Sequence, residues 1–338
     1  MKPNSNVQSF RITDALRCTL LNAPGKPNLA CPRPALNGDQ LPLYGARLWR
    51  NAVMQPRNRL ALARWQGTRL TGLVSARTRS GPRAWEVDGL YLPAAAPTLN
   101  GKGQGDDDYK LDQMNAEALA LLEDLFQAVG ERSGERIFLR LPTESPTLTL
   151  ARRSGFIVAC NETLVEGPGS LHLNGADGET ADHSTARGLR TRLPSDEYGV
   201  FQLYCASVPA RVRQAMGLTF DQWRDGREAP TRSVAPTRQQ EWVAEESGRI
   251  VGWVRLAGRG KSVGAEVMAH PDNPDQLFRM VDFASRRYPG LRWLVPDYQS
   301  PVRDRLTGRG GRQLGEYTMM VKMVAVPALE YGMAPVEA

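Results

Sequence analysis

Apolar positions along the chain recur with a period of two over short stretches and with a helical period over a few longer ones. Residues 60–65 and 70–78 read as strands joined by a short turn containing Gly67. Ser80-Gly81-Pro82 marks a second turn, and residues 84–92 form a third strand. A loop rich in Ala, Pro, Gly and Asp covers residues 93–108. Residues 115–129 then place Leu119, Leu122 and Phe126 at helical spacing, and residues 136–141 are a short buried-strand candidate. Ser145 can cap a helix with Pro146 at its first position and Gly155 closing it, before residues 156–165 return as a strand. The N-terminal stretch is the least patterned, with helix candidates at 16–21 and 43–53.

The second half repeats the order. Residues 189–193 are a strand, and 196–218 are helical with a break near Pro209. Strands at 240–245, 249–256 and 262–270 form a meander turning at Ser247-Gly248 and Gly258-Arg259-Gly260. A helix at 274–287, a strand at 291–295, a helix from Ser300 and a closing strand at 316–326 follow. Local anchors support a duplication. Gln66-Gly-Thr-Arg-Leu-Thr-Gly72 answers Glu246-Ser-Gly-Arg-Ile-Val-Gly252, and Glu86-Val87 and Glu266-Val267 stand equally far past each glycine. Ser145-Pro146 answers Ser300-Pro301, with Gly155 and Gly310 at matched distances beyond. A repeat this long means a duplicated domain, since solenoid periods are far shorter.

Composition narrows the class. At 338 residues and 41% hydrophobic content, the chain suits two globular domains of ordinary size. No apolar run reaches a membrane span, and the N-terminus shows no secretory h-region, so a cytoplasmic location is expected. Cys18, Cys31, Cys160 and Cys205 show no C-x-x-C pairing, and only His172, His183 and His270 accompany them; no metal site is expected. The net charge of +7 is almost all arginine. Such a surface can attract nucleic acid or phosphorylated ligands, but dispersed charge on solvated faces is the preferred reading, and no base-stacking aromatic signature is present. Residues 167–188, rich in Gly, Asp, Ser and Thr, read as a linker between a first domain at 1–166 and a second at 189–338.

After the third meander strand comes Asn100-Gly101-Lys102-Gly103-Gln104-Gly105. Glycines let a backbone approach phosphates, and oriented N–H groups make an anion nest to which Lys102 adds charge. Placed there, this loop and the element order around it resemble a tandem GNAT-type N-acyltransferase, whose pattern is Gln/Arg-x-x-Gly-x-Gly/Ala. The resemblance implies an α+β fold of two GNAT-like domains, each a mixed, mostly antiparallel sheet flanked by helices. It implies acetyl-CoA or another acyl-CoA as cosubstrate, bound in the first domain between its fourth and fifth strands. Leu92, Asn100, Gly101, Lys102, Gly103, Gln104, Gly105 and Ser145 stand at the implied coenzyme positions. Asn100 replaces the usual Gln or Arg, Asp106-Asp107-Asp108 follows at once, and the well-patterned helix starts later, which leaves a Gly/Asp surface loop as the alternative. The second half has His270-Pro271-Asp272-Asn273-Pro274 in place of such a loop, so phosphate binding is expected to be lost there.

Glu86 and Asp88 share a strand face, as do Glu266 and His270. In the resembled family a carboxylate on this strand deprotonates the acceptor ammonium, which makes Glu86 the first candidate base and Asp88 the second. The alternative is that each acid faces solvent or pairs with an arginine. The family's tyrosine acid is replaced by Ala151 and Leu306, leaving Tyr91 as a substitute or a packing aromatic. Ser145 is better read as a helix cap than as a coenzyme contact. The expected function is acyl transfer from acyl-CoA to a small-molecule or peptide amine in a ternary complex. A GNAT-derived ligand-sensing or partner-binding protein without catalysis is the alternative.

Overall fold

The architecture is a computed structural model describing residues 8–9, 12–20, 28–38, 57–67, 69–92, 104–168, 188–228, 238–259 and 262–325. The first half contains β1 (Gln8–Ser9), α1 (Ile12–Leu20), α2 (Arg33–Leu36), β2 (Arg59–Gln66), β3 (Arg69–Thr78) and β4 (Ala84–Tyr91). It continues with α3 (Gln104–Gly130), β5 (Arg136–Pro142), α4 (Thr147–Arg153) and β6 (Ile157–Glu166). The second half contains β7 (Leu189–Thr191), α5 (Glu197–Ser207), α6 (Ala210–Met216), α7 (Phe220–Gly226), β8 (Arg238–Glu246), β9 (Arg249–Arg259) and β10 (Ser262–Ala269). It ends with α8 (Pro274–Arg287), β11 (Arg292–Pro296), α9 (Ser300–Gly308) and β12 (Arg312–Met323). The fold is α+β.

Most of the predicted elements are present, with corrected bounds. Helix α3 opens at Gln104 rather than near Asn115, so it abuts the glycine loop directly. Residues 106–108 lie in its first turns. Its buried stripe is Ala118, Leu121, Leu122, Leu125 and Val129, the i, i+3, i+4 spacing of a helix on a core. Helix α4 has Pro146, not Ser145, at its N-cap, and Gly155 closes it in the left-handed region at φ +87°. Helix α7, which the pattern did not predict, starts where the Thr219 side chain accepts a bond from Gln222 N. The final strand runs over 312–323 because a bulge between Gln313 and Gly315 lets pairing with β6 continue to Glu166. The candidate helix at 43–53 lies outside the described residues.

The strands form one 12-stranded sheet in the order β1-β2-β3-β4-β5-β12-β6-β11-β10-β9-β8-β7. Each half supplies an antiparallel meander whose last strand pairs in parallel with the next one, β4 with β5 and β10 with β11. The closing strands are exchanged. Strand β12 lies between β5 and β6, with Met320 opposite Leu139, while β6 completes the second half against β11, with Leu164 opposite Leu294. The halves are therefore joined by continuous backbone hydrogen bonding. A core under α3 and α4 packs on the first half, and a second, including Met280 and Val281, packs under α8 and α9. A third, on the opposite face, is closed by α5, α6 and α7 around Leu203, Trp223 and Phe138 and spans both halves. Each fully buried Leu or Val side chain contributes about 1.5–3 kcal/mol. No helix among the described residues is long and apolar enough to cross a membrane.

Candidate functional site

In the first half, β4 and β5 pair at Ala84–Arg136, Trp85–Ile137 and Glu86–Phe138 and then part. Residues 28–31 fill the resulting gap. Asn28 Nδ2 donates to Asp88 O at 3.0 Å, and Asn28 Oδ1 accepts from Leu90 N at 2.9 Å. Leu29 N donates to Leu90 O at 2.9 Å, and Cys31 N donates to Arg140 O at 2.9 Å. The segment thus acts as a short strand bridging both edges, with Ala30 buried in the core beneath. This satisfies backbone groups that the divergence of β4 from β5 would otherwise leave bare.

The predicted residues fall around this gap. Glu86 is buried, with Arg77 Nη2 at 2.8 Å and Arg79 Nη2 at 3.5 Å from its carboxylate. Asp88 is also buried; it accepts from Ser75 Oγ at 2.7 Å and has Arg59 Nη1 at 3.7 Å. Tyr91, at the end of β4, packs with the small cluster around Ala15 and Cys18 under β2 and β3, and Leu92 packs on the first core. Ser145 Oγ accepts from Thr147 N at 3.3 Å, a local bond at the start of α4. Asn100, Gly101, Lys102 and Gly103 lie outside the described residues; Gln104 and Gly105 are the first two residues of α3. Glu86 and Asp88 are therefore brought together with β4, whereas Ser145 belongs to the turn before α4.

Glu86 is one end of a buried charge network that linear reading missed. Arg79 Nη2 stands 3.5 Å from Glu86 and 3.6 Å from Glu228. Glu228 takes Arg140 Nη2 at 2.7 Å and Arg33 Nη1 at 3.4 Å, and Arg33 continues to Glu266 at 2.7 Å. Arg140 Nε also donates to Glu162 at 2.6 Å. Burial opposes the charge on Glu228, but Arg140, Arg33 and Arg79 outweigh it and hold the carboxyl well below the usual carboxylate range. One signal was present in the sequence: Arg140 interrupts an apolar run that reads as a buried strand, and a charge there needs partners. Glu228 and Arg33 lie in stretches without periodicity, so nothing local marked them.

In the second half, β10 and β11 pair at Gly264–Arg292 and Ala265–Trp293 and then part in the same way. Here the gap opens into a cavity of roughly 160 Å³. Met268 of β10, Leu294 of β11, Trp223 and Gly226 of α7, and Arg79 and Arg140 of the first half line it. Gln299 Nε2 donates to Val267 O at 3.0 Å beside it. The cavity is therefore shared by both halves. Among the described residues no His, Cys, Asp and Glu side chains gather into a metal-holding group.

No protein-family model and no curated protein matches the chain. A putative acetyltransferase from Pyrococcus horikoshii is similar over 95% of this chain and 89% of its own, at 11% identity and a TM-score of 0.43. A tandem GNAT protein from the clavulanic acid biosynthesis pathway is similar over 95% and 98%, at 12% identity and a TM-score of 0.45. A GCN5-related N-acetyltransferase from Sphaerobacter thermophilus is similar over 94% and 95%, at 13% identity and a TM-score of 0.45. The strands and helices follow one α+β order twice, in a mostly antiparallel sheet flanked by helices, and the two halves exchange their closing strands.

Proposed function

We propose that the protein is an acyl-CoA-dependent N-acyltransferase, its coenzyme held by the first half and its acceptor a small-molecule or peptide amine. The observation that carries this reading is that α3 starts at Gln104, next to Asn100-Gly101-Lys102-Gly103, after the end of β4 that has parted from β5. The first N–H groups of a helix have no partner within it, and with a glycine loop before them they suit a pyrophosphate. The thioester would reach β4 near Glu86 and Asp88. A free amine attacks the thioester carbon, the C–S bond breaks, and the coenzyme leaves as its thiolate. The ammonium form must first lose a proton. Glu86, held by Arg77 and Arg79, is the first candidate for this base, and Asp88, which accepts from Ser75 at 2.7 Å and has Arg59 at 3.7 Å, is the second. Tyr91, at the end of the same strand, is the hydroxyl assigned to the thiolate.

One observation favours a second reading, a ligand-binding protein without turnover. Residues 28–31 fill the gap between β4 and β5 that the coenzyme's arm would enter. Calorimetric titration with acetyl-CoA of the wild-type protein and of Gly103→Trp separates the two. Binding at one site, lost in the variant and followed by transfer to an amine in a screen, is the outcome expected of the enzyme. Absence of heat from folded protein at millimolar acetyl-CoA would sink the transferase reading.

A further inference from the structure

The cavity between the halves is the size of a small ligand, and the charges around it are all spent on one another. Its volume is roughly 160 Å³. An engineered apolar cavity of about 150 Å³ takes up benzene, so one aromatic ring with a short arm is the scale. Tyr204 and Trp253 line it with their polar ends used elsewhere, Tyr204 OH on Gly217 O at 3.1 Å and Trp253 Nε1 on Glu241 at 2.9 Å. What these rings offer a ligand is apolar surface, beside Trp223 and the thioethers of Met268 and Met319.

Each charged side chain on the border already has a partner. Glu162 holds Arg140, Glu228 holds Arg140 and Arg33, and Glu266 holds Arg33. Arg227 donates to Glu241 at 3.1 Å and lies over the Trp223 ring. Arg79 Nη1 donates to Gly226 O at 2.9 Å, and Nη2 stands between Glu86 at 3.5 Å and Glu228 at 3.6 Å. The same guanidinium stacks on Phe138, its carbon 3.7 Å from the ring centroid. An ion entering here, of either sign, would give up its water without gaining a free counter-charge. The lining therefore selects against charge.

Two uncharged groups remain. Tyr298 and Gln299 border the cavity in the turn between β11 and α9. Gln299 Nε2 donates to Val267 O at 3.0 Å, which leaves its Oε1 without a partner among the described residues. The Tyr298 hydroxyl has none among them either, and burial raises its pKa well above the ordinary value, so it keeps its proton. A neutral donor next to a neutral acceptor suits a hydroxyl, which takes one hydrogen bond and gives another.

We propose that this cavity binds a small uncharged aromatic alcohol, its ring among Trp223, Trp253 and Tyr204 and its hydroxyl on Tyr298 and Gln299. The site is separate from the glycine loop before α3, so it holds whether or not acyl transfer occurs there.

The test is a titration of the full chain with phenethyl alcohol, phenylacetate and phenethylamine, read by saturation transfer from protein to ligand protons. The alcohol is expected to bind about tenfold or more tightly than either ion, since neither ion finds a free partner. Tyr298→Phe is expected to weaken the alcohol about threefold to tenfold, the usual worth of one hydrogen bond, and to leave ethylbenzene, which has no hydroxyl, unchanged. Met268→Trp fills the cavity from β10 without touching a charge and is expected to abolish binding of the alcohol and of ethylbenzene. Affinity for either ion equal to or above that for the alcohol, or no transfer to the alcohol at about 10 mM, would overturn the proposal. So would unchanged binding of the alcohol in folded Tyr298→Phe or in folded Met268→Trp. If Met268→Trp does not fold, the wild-type series and Tyr298→Phe still decide.

Discussion

Arg140 and Glu162 form an ion pair over an intervening strand. Arg140 Nε lies 2.6 Å from Glu162 Oε2, yet their strands, β5 and β6, are separated by β12. Arg140 stands opposite Met319 and Glu162 opposite Tyr317, so the pair spans the Thr318 position of the exchanged strand. Side chains of the first half thus clasp the closing strand of the second.

Breaking that clasp from one side leaves the other charge buried. Glu162→Gln and Arg140→Met are each expected to cost about 3–5 kcal/mol, the usual penalty for removing one partner of a buried pair. Urea denaturation checks this; a loss under about 1 kcal/mol would show the pair to be solvated instead.

The exchange also predicts how the halves behave when the chain is cut. With β12 bonded to β5 and β6, and β6 to β11, the two pieces share a backbone ladder and not merely a packed face. A protease site placed within residues 169–187 should yield two fragments that co-elute at the intact size and separate only in denaturant. Fragments that part on a native column would contradict the strand order.

The acid limb of stability should trace to Glu228. Its folded pKa lies below its unfolded value, because Arg140, Arg33 and Arg79 overcome the cost of burial. A depressed carboxylate contributes stability that is fully present above the unfolded pKa, about 4.3, and is lost as pH falls through the folded value. Unfolding free energy should therefore hold level above about pH 5 and fall below about pH 4. In Glu228→Gln the neutral plateau should drop while the acid slope flattens. An unaltered slope between about pH 5 and 3 would move the effect to other carboxylates.

Why the strand order and the charge network escaped the sequence has a physical answer. Period-two alternation tells which face of a strand is buried but not which neighbour it pairs with. The two closing strands carry the same kind of pattern, so either fits either edge. The duplication was legible because turns and paired charges are local: Ser247-Gly248 makes its tight turn with both residues at positive φ. Arg77 stands opposite Glu86 and Arg255 opposite Glu266, a cross-strand pair at the matched place in both meanders. Helix α8 was legible to the residue because Pro274 can only start it. The cavity was not, because Arg79, Trp223 and Met268 converge only when α7 folds across the join.

Asn28 is where stability and coenzyme access meet. Its side chain donates to Asp88 O and accepts from Leu90 N and from Ala30 N at 3.0 Å, so it pins residues 28–31 into the gap between β4 and β5. Asn28→Ala leaves those backbone groups short of partners and should cost about 1–3 kcal/mol, read as a lower thermal midpoint. The same substitution loosens the segment that occupies the expected path of the coenzyme. If acetyl-CoA enters by that gap, the variant should bind it more tightly than the wild type, since less of the binding energy goes into displacing the segment. Cys31 reports the displacement directly: burial holds its thiol above the ordinary value, and its alkylation should quicken as acetyl-CoA saturates the protein. A destabilised variant with unchanged coenzyme affinity and unchanged Cys31 labelling would make the segment a permanent strand of the sheet, and would move any coenzyme away from the first half's gap.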